Sequence, residues 1–257
     1  MKGLLLRAAV GALLFAPAQM RAQDMLQGVD LSQPAYSQSE LTRAEVEAAL
    51  KAGRTDFSGK SLNGLDLSGL DLSKVNFRAA RLNKARLSGA RLDGAILDQA
   101  WLMQADLTGA SLKGAQAFAA QMQRLRGDGA DFSGARLAGD LTGASLKGAK
   151  FDGANLSADM KNQSMGLMRA VLRSTFLEDA TFARANLMSA DLRFAHAGGA
   201  DFRGANLVNA DASGADFTGA LFEGAAARDL DLDSAQIDRA AEGALQQAQH
   251  LDRARRQ

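Results

Sequence analysis

The stretch RLNKARLSGARLDGA, residues 81–95, decides how this chain folds. Leu82, Leu87 and Leu92 recur at every fifth position, and Ala85, Ala90 and Ala95 follow them by three. On an α-helix each residue turns about 100°, so steps of five leave successive leucines about 140° apart and draw no stripe. On a strand, steps of five send successive leucines to opposite faces. A chain that turns a corner within every five residues buries both sets. Glycine suits such a corner, because the third residue of a type II turn needs positive φ. Corners of one hand close the chain into a coil, and coils stack through backbone hydrogen bonds.

The pattern extends far beyond this stretch. From Phe57 an apolar residue falls at every fifth position through Leu112, and this is the central position of each repeat. The residue before it is commonly Asp, Asn, Arg or Ser and faces outward. Two before it sits a small residue, and two after it often Gly, as at Gly89, Gly94, Gly109 and Gly114. After Leu137 the phase slips by one residue, to Leu141, Leu146, Phe151 and Leu156, and the original phase returns at Leu172. Between them lies DMKNQSMGLMR (159–169), eleven residues where two repeats would need ten, which reads as a bulge or projecting loop. A weaker repeat falls at 116–129, where Gly127 takes a central position.

The repeats ADLTG (105–109), ADFSG (130–134), ANLSA (154–158), ANLMS (185–189), ADFRG (200–204) and ADFTG (215–219) resemble the pentapeptide-repeat family, whose pattern is A-(D/N)-L-x-x. The resemblance covers residues 55–239. It implies an all-β solenoid, a right-handed quadrilateral β-helix with four pentapeptides per coil. About nine coils, at the strand spacing of about 4.8 Å, give a rod about 43 Å long. Residues 20 apart in unbroken register then stack. Phe182, Phe202 and Phe222 form an inner ladder, and Phe57 stacks on Phe77. Outside, Arg81 lies between Ser61 and Trp101, Arg86 between Asp66 and Asp106, and Arg91 between Asp71 and Ser111. The basic opening stretch therefore reads as neutralised cross-coil ladders, and Arg86 is expected to contact both of its aspartates.

Solenoid ends need caps. In the 19–54 segment a helix is expected over about 43–52, with Thr42 and Glu45 as a capping box, Leu41 and Val46 as a hydrophobic staple, and Gly53 as its stop. Residues 235–257 read as a C-terminal helix and tail, with Ser234 as N-cap. Its apolar face of Ile237, Ala241, Ala244, Leu245, Ala248 and Leu251 either covers the last coil or pairs with a second copy in a homodimer.

The start of the chain reads as a signal peptide over 1–18. It has Lys2, an apolar run from Gly3 to Phe15 and a small-x-small site at Ala16-Pro17-Ala18, with cleavage as late as residue 22 as an option. A retained amphipathic helix is the competing reading, since Arg7 interrupts the run. Cleavage removes Lys2 and Arg7, so the formal charge of +1 loses two cations and becomes −1. No membrane span is expected after cleavage, and the periplasm or the exterior is the expected location.

With no cysteine, the chain has no disulfide framework, thiol chemistry or cysteine metal site. His196 and His250 are far apart, and no catalytic or phosphate-binding motif emerges, so neither enzyme, metal nor cofactor is expected. Arg126-Gly127-Asp128 spells an adhesive tripeptide, and Asn162-Gln163-Ser164 a glycosylation acceptor. The candidate partner-binding residues are two outward aromatics, Trp101 and Phe176, and an acidic column of Asp191, Asp211 and Asp231. With Ile96 and Val171, the aromatics mark two exposed apolar spots. The column is available to a cation or a basic partner, with bonding to turn backbone as the alternative. The expected function is an exported, non-enzymatic scaffold that binds an unidentified protein and no nucleic acid. The alternative is a DNA-mimicking protector of a topoisomerase (gyrase), of the quinolone-resistance type. Near-neutral charge, the export signal and the arginines on the rod count against it.

Overall fold

The structure is a computed structural model, and it describes residues 33–158 and 168–256. Its smallest unit is a turn. The carbonyl of each central residue accepts from the N–H three residues on, as Leu82 does from Ala85 at 3.1 Å and Leu187 from Ala190 at 2.9 Å. The residue two after the centre has positive φ, as a type II turn requires. It is left-handed at Gly89 (φ 63°) and equally at Lys74 (60°), Gln99 (59°) and Phe194 (56°). An L-residue pays about 1–2 kcal/mol for that conformation, so the corner is imposed by the stacking of coils and not by glycine alone.

Four such turns bring the chain back over itself. Asp56 pairs with Asn76, Ser61 with Arg81, Asp66 with Arg86 and Asp71 with Arg91, all in parallel. These pairs begin four columns, here the first, second, third and fourth sides of the rod. Each side meets the next coil through a single outward residue. The described residues therefore contain few extended strands, namely β1 (Gln236–Ile237) and β2 (Arg255–Arg256). Three backbone bonds join neighbouring repeats. Leu82 N–H donates to the Trp101 carbonyl at 2.7 Å, Lys84 N–H to Met103 at 2.9 Å, and Trp101 N–H back to Ala80 at 2.9 Å.

Central and small residues fill the interior. The expected aromatic ladder is present and longer than the 20-residue rule implies. Phe132, Phe151, Phe182, Phe202 and Phe222 stack in order at 4.9, 4.8, 4.9 and 5.3 Å. Phe57 stacks on Phe77 at 5.8 Å. Gly127 leaves a central position empty, and Leu125, at the small position, fills it: a Cβ on Gly127 would lie 3.1 Å from Leu125 and 2.9 Å from Leu146.

The two irregularities offset each other. Arg136 pairs with Asn155, so one coil is a residue short. The chain tightens at Gly139, where a Cβ would lie 2.6 Å from the Ala120 carbonyl oxygen. The next pairing, Asn155 with Asn186, spans 31 residues. The 159–169 insert therefore replaces no repeats, contrary to the ten-residue comparison. It departs after Ala158, whose N–H donates to Met188 at 3.1 Å, and rejoins at Ala170, whose N–H donates to Leu156 at 3.3 Å. One residue lost and eleven gained restore the phase by two whole repeats. Residues 159–167, with the glycosylation acceptor, lie outside the described residues, as does the signal segment.

At the N-terminal end, the short α1 (Pro34–Ser37) precedes α2 (Arg43–Lys51), which has the expected capping box of Thr42 and Glu45. Val46 and Ala49 join the core of the first coils with Leu41 packed against it, and Gly53 is left-handed at φ 71°.

The expected C-terminal helix does not form. Ser234 is a left-handed corner (φ 59°) and not an N-cap. After β1 come 3-10 turns at Arg239–Ala241 and Leu251–Arg253, then β2, which pairs in parallel with β1. The last coil's carbonyls explain this. Leu230 and Ala235 accept from Gln249 N–H (2.8 Å) and Arg255 N–H (2.7 Å), donors that an α-helix would have consumed internally. The apolar set still covers the core: Ile237 and Leu245 are buried, with Ala241, Ala244, Ala248 and Leu251 packed against them. A homodimer through an apolar helix face has no such face to use.

If stacking imposes the corner, relieving its strain should stabilise the rod. Gln99→Gly is expected to raise unfolding free energy by about 0.5–1 kcal/mol. Gly89→Val, where an added Cβ meets nothing within 4 Å, should lower it by more than about 1 kcal/mol through the backbone alone. Urea denaturation of both variants checks the pair.

Candidate interaction surface

The acidic column stacks as expected on the second side, Asp191 on Asp211 on Asp231. It is not an open cation site. The Asp191 side chain is 1% exposed and accepts from Arg169 at 3.3 Å, Arg173 at 3.0 Å and Arg193 at 2.6 Å. Arg193 also reaches Asp211 at 3.3 Å. The turn-bonding alternative holds for one oxygen of each aspartate. Asp211 accepts from Ser213 N–H (3.2 Å) and hydroxyl (2.6 Å), and Asp231 from Asp233 N–H (2.9 Å). His250 Nδ1 lies 2.8 Å from Asp231. Among the described residues no group of three or more His, Cys, Asp or Glu is placed to hold a metal ion.

Burial pushes the Asp191 pKa up, but hydrogen bonds from Arg193 and Arg173 and their charges outweigh it, leaving the group at about 2. Arg169 comes from the return of the insert, so this cluster ties the insert's root to the second side. The sequence hides it, because Arg169 and Asp191 are separated by several repeats and the 20-residue rule pairs Asp191 with Val171.

The two outward aromatics are not brought together. Trp101 is half-buried on the second side, between Arg81 and Gln121. Phe176 is 38% exposed on the third side. It stacks on His196 with ring centroids 4.9 Å apart, and Lys147 Nζ lies 5.4 Å from its ring centre. Val171, expected to be exposed, is buried. Phe194, 57% exposed, was not singled out because it occupies a corner position normally given to glycine. It stands two residues from His196, and its ring lies against Gly214, where a Cβ would approach within 2.6 Å. Phe176 and His196 thus stack on the third side, and Phe194 stands exposed at the corner before it, with its ring against Gly214.

The arginine ladders are simpler than expected. Arg86 meets Asp66 at 3.0 Å, but among the described residues it does not pair with Asp106. Asp106 turns one oxygen onto Thr108, at 3.0 Å from its N–H and 2.6 Å from its hydroxyl. Asp66, by contrast, draws Arg43 from α2 as well. Arg91 lies 3.6 Å from Asp71, and Arg81 reaches Glu40 at 3.3 Å. The Arg126-Gly127-Asp128 tripeptide is built into a coil: Gly127 is buried, and Asp128 accepts from Ser145 hydroxyl (2.6 Å) and Lys147 N–H (3.0 Å).

Stacked coils with a continuous inner ladder define a β-solenoid repeat protein. The family model for pentapeptide repeats matches in 8 copies, over residues 53–89, 71–109, 85–124, 128–157, 167–204 and 185–224, and the chain belongs to that family. Solved structures similar to it include alr5209, a pentapeptide repeat protein from Nostoc PCC 7120, at 34% identity over 40% of this chain and 84% of that one, with a TM-score of 0.38. QnrB1, a plasmid-mediated fluoroquinolone resistance protein, aligns at 17% identity over 70% and 95%, TM-score 0.47. HetL, involved in heterocyst differentiation regulation in the cyanobacterium Nostoc sp. strain PCC 7120, aligns at 24% over 74% and 97%, TM-score 0.23. No curated protein matches the chain.

Asp191→Asn leaves three arginines around a neutral side chain and is expected to cost about 3 kcal/mol or more. The folded pKa lies below the ordinary 3.8. The carboxylate's contribution is therefore present above about pH 4 and is lost as pH falls toward 2. Stability measured by denaturant titration should fall across that window in the parent and fall less in the variant.

Proposed function

We propose that this chain is an exported, non-enzymatic pentapeptide-repeat rod that binds another protein. The rod is right-handed with about nine coils, close to 43 Å long at strand spacing. The observation that carries the reading is the exposure of Phe194, at the corner beside the Phe176–His196 stack. Phe194 holds a bulky ring in solvent at a left-handed corner, a conformation such residues rarely adopt. Rigid aromatic anchors of this kind dominate protein interfaces. The signal-like residues 1–18 support export to the periplasm or the exterior. Mimicry of DNA would need carboxylates free along a face, whereas Asp66, Asp71, Asp191 and Asp201 each face an arginine.

Two measurements test this. A photo-crosslinking residue at position 194 in the native host should capture one specific protein, and Phe194→Asp should weaken that complex by about 2 kcal/mol. Fractionation should find a mature chain beginning between residues 19 and 23 in the exported fraction. An uncleaved cytoplasmic chain would remove export, and an unaffected complex would remove Phe194 as an anchor.

A further inference from the structure

Each repeat gives two N–H groups to the coil above it and takes one through its small residue's carbonyl. On the fourth side Phe202 N–H donates to Leu221 (2.8 Å), Gly204 N–H to Glu223 (3.0 Å), and Ala200 accepts from Leu221 N–H (2.9 Å). At the C-terminal end this pattern continues on the second and third sides and, on the first, only at the corner. Asp229 N–H, at the first-side corner, donates to Gln247 (3.0 Å), Leu232 N–H donates to Gln249 (3.1 Å) on the second side, and Ala235 accepts from Arg255 N–H (2.7 Å) on the third. Between Asp238 and Gln246 the chain leaves the ladder through the 3-10 turn Arg239–Ala241.

The consequence is an open edge on the fourth side that runs into the first as far as Ala227. Among the described residues, the N–H groups of Phe222, Gly224 and Ala227 meet no acceptor, and the carbonyls of Ala220 and Ala225 no donor. Phe222 is 2% exposed, and a buried N–H without a partner is rare in folded proteins. A cavity of about 240 Å³ lies over this edge, between Ala220, Leu221 and Phe222 on one side and Ala240, Ala241 and Ala244 on the other. A second, of about 200 Å³, continues past Ala244 over Ala225 and Ala227.

We propose that this slot is a β-addition site, which takes an extended segment of a partner protein as one more rung of the solenoid. The partner's carbonyls would accept from Phe222, Gly224 and Ala227, and its N–H groups would donate to Ala220 and Ala225. Alanine walls admit a backbone with small inward side chains. Glu223 and Asp238 at the cavity favour a cationic residue in that segment. Ala240, Ala241 and Ala244 stand over the edge, in the way of the broad end of a second rod. The inference rests on the protein-binding reading only in taking a polypeptide as partner, and it is independent of export and of Phe194.

The test uses the full chain and a synthetic decapeptide, ADARGANAVN, which follows residues 200–209 one coil below the slot with alanine in place of the inward Phe202 and Leu207. Hydrogen exchange should be fast at Phe222, Gly224 and Ala227 in the free chain and slow by at least about tenfold at saturating peptide. N-methylation of the peptide's second and seventh residues, the donors to Ala220 and Ala225, should abolish the slowing. Ala244→Trp, which fills the slot, should do the same with an unchanged circular dichroism spectrum. Four results would overturn the proposal: amides already slow without peptide, slowing with protein concentration alone (which assigns the edge to a second copy), no slowing at millimolar peptide, or slowing that survives N-methylation.

Discussion

The hydrogen bond from each central N–H to the coil above, 2.7 Å at Leu82 and 2.6 Å at Leu92, is the constraint on which the rest depends. It closes only if every side advances by the same rise, so each repeat must spend its five residues identically. Two residues point inward, one outward, and two turn. That requirement sets φ at the corner for glycine and non-glycine residues alike. It also explains why polar residues beside the corner add bonds between coils. Asp93 accepts from Lys113 N–H at 3.1 Å and Asp98 from Phe118 N–H at 3.0 Å.

The ladder tolerates changes that leave it intact and rejects those that do not. A residue is lost at Gly139, where the backbones approach too closely for a side chain, and eleven are gained at the insert. Phe132, Phe151 and Phe182 stack through both. The insert's return is fixed by Arg169 on buried Asp191, a charged cluster whose hydrogen bonds offset the desolvation of its carboxylate. Where the ladder ends, the chain supplies N–H groups to Leu230 and Ala235 in preference to forming a helix, and the sides it leaves uncovered remain open.

Most of the fold was legible because the period is physical: five residues suit neither helix nor strand, and stacking follows from closure. The 20-residue register placed Arg86 beside Asp66 and Phe182 beside Phe202. It also placed Asp191 beneath Asp211, but not the arginines that bury it, because Arg169 arrives through an insert that breaks the register. The C-terminal helix was misread because its apolar residues keep helical spacing while their backbone is claimed by the last coil. Arg86 missed Asp106 because that carboxylate is held by Thr108, a local competition that spacing does not reveal. Phe194 was missed because its position normally encodes a turn and not a surface.

The central claim is that the coils remain in backbone register across the insert, with Asn155 directly beneath Asn186. The chain has no cysteine, so Asn155→Cys with Asn186→Cys gives a clean probe. Parallel partners about 4.8 Å apart lie within disulfide reach. The account predicts that mild oxidation joins the two thiols within one chain while the far-ultraviolet spectrum is unchanged. Two thiols that both react with a small alkylating reagent yet never join would contradict it.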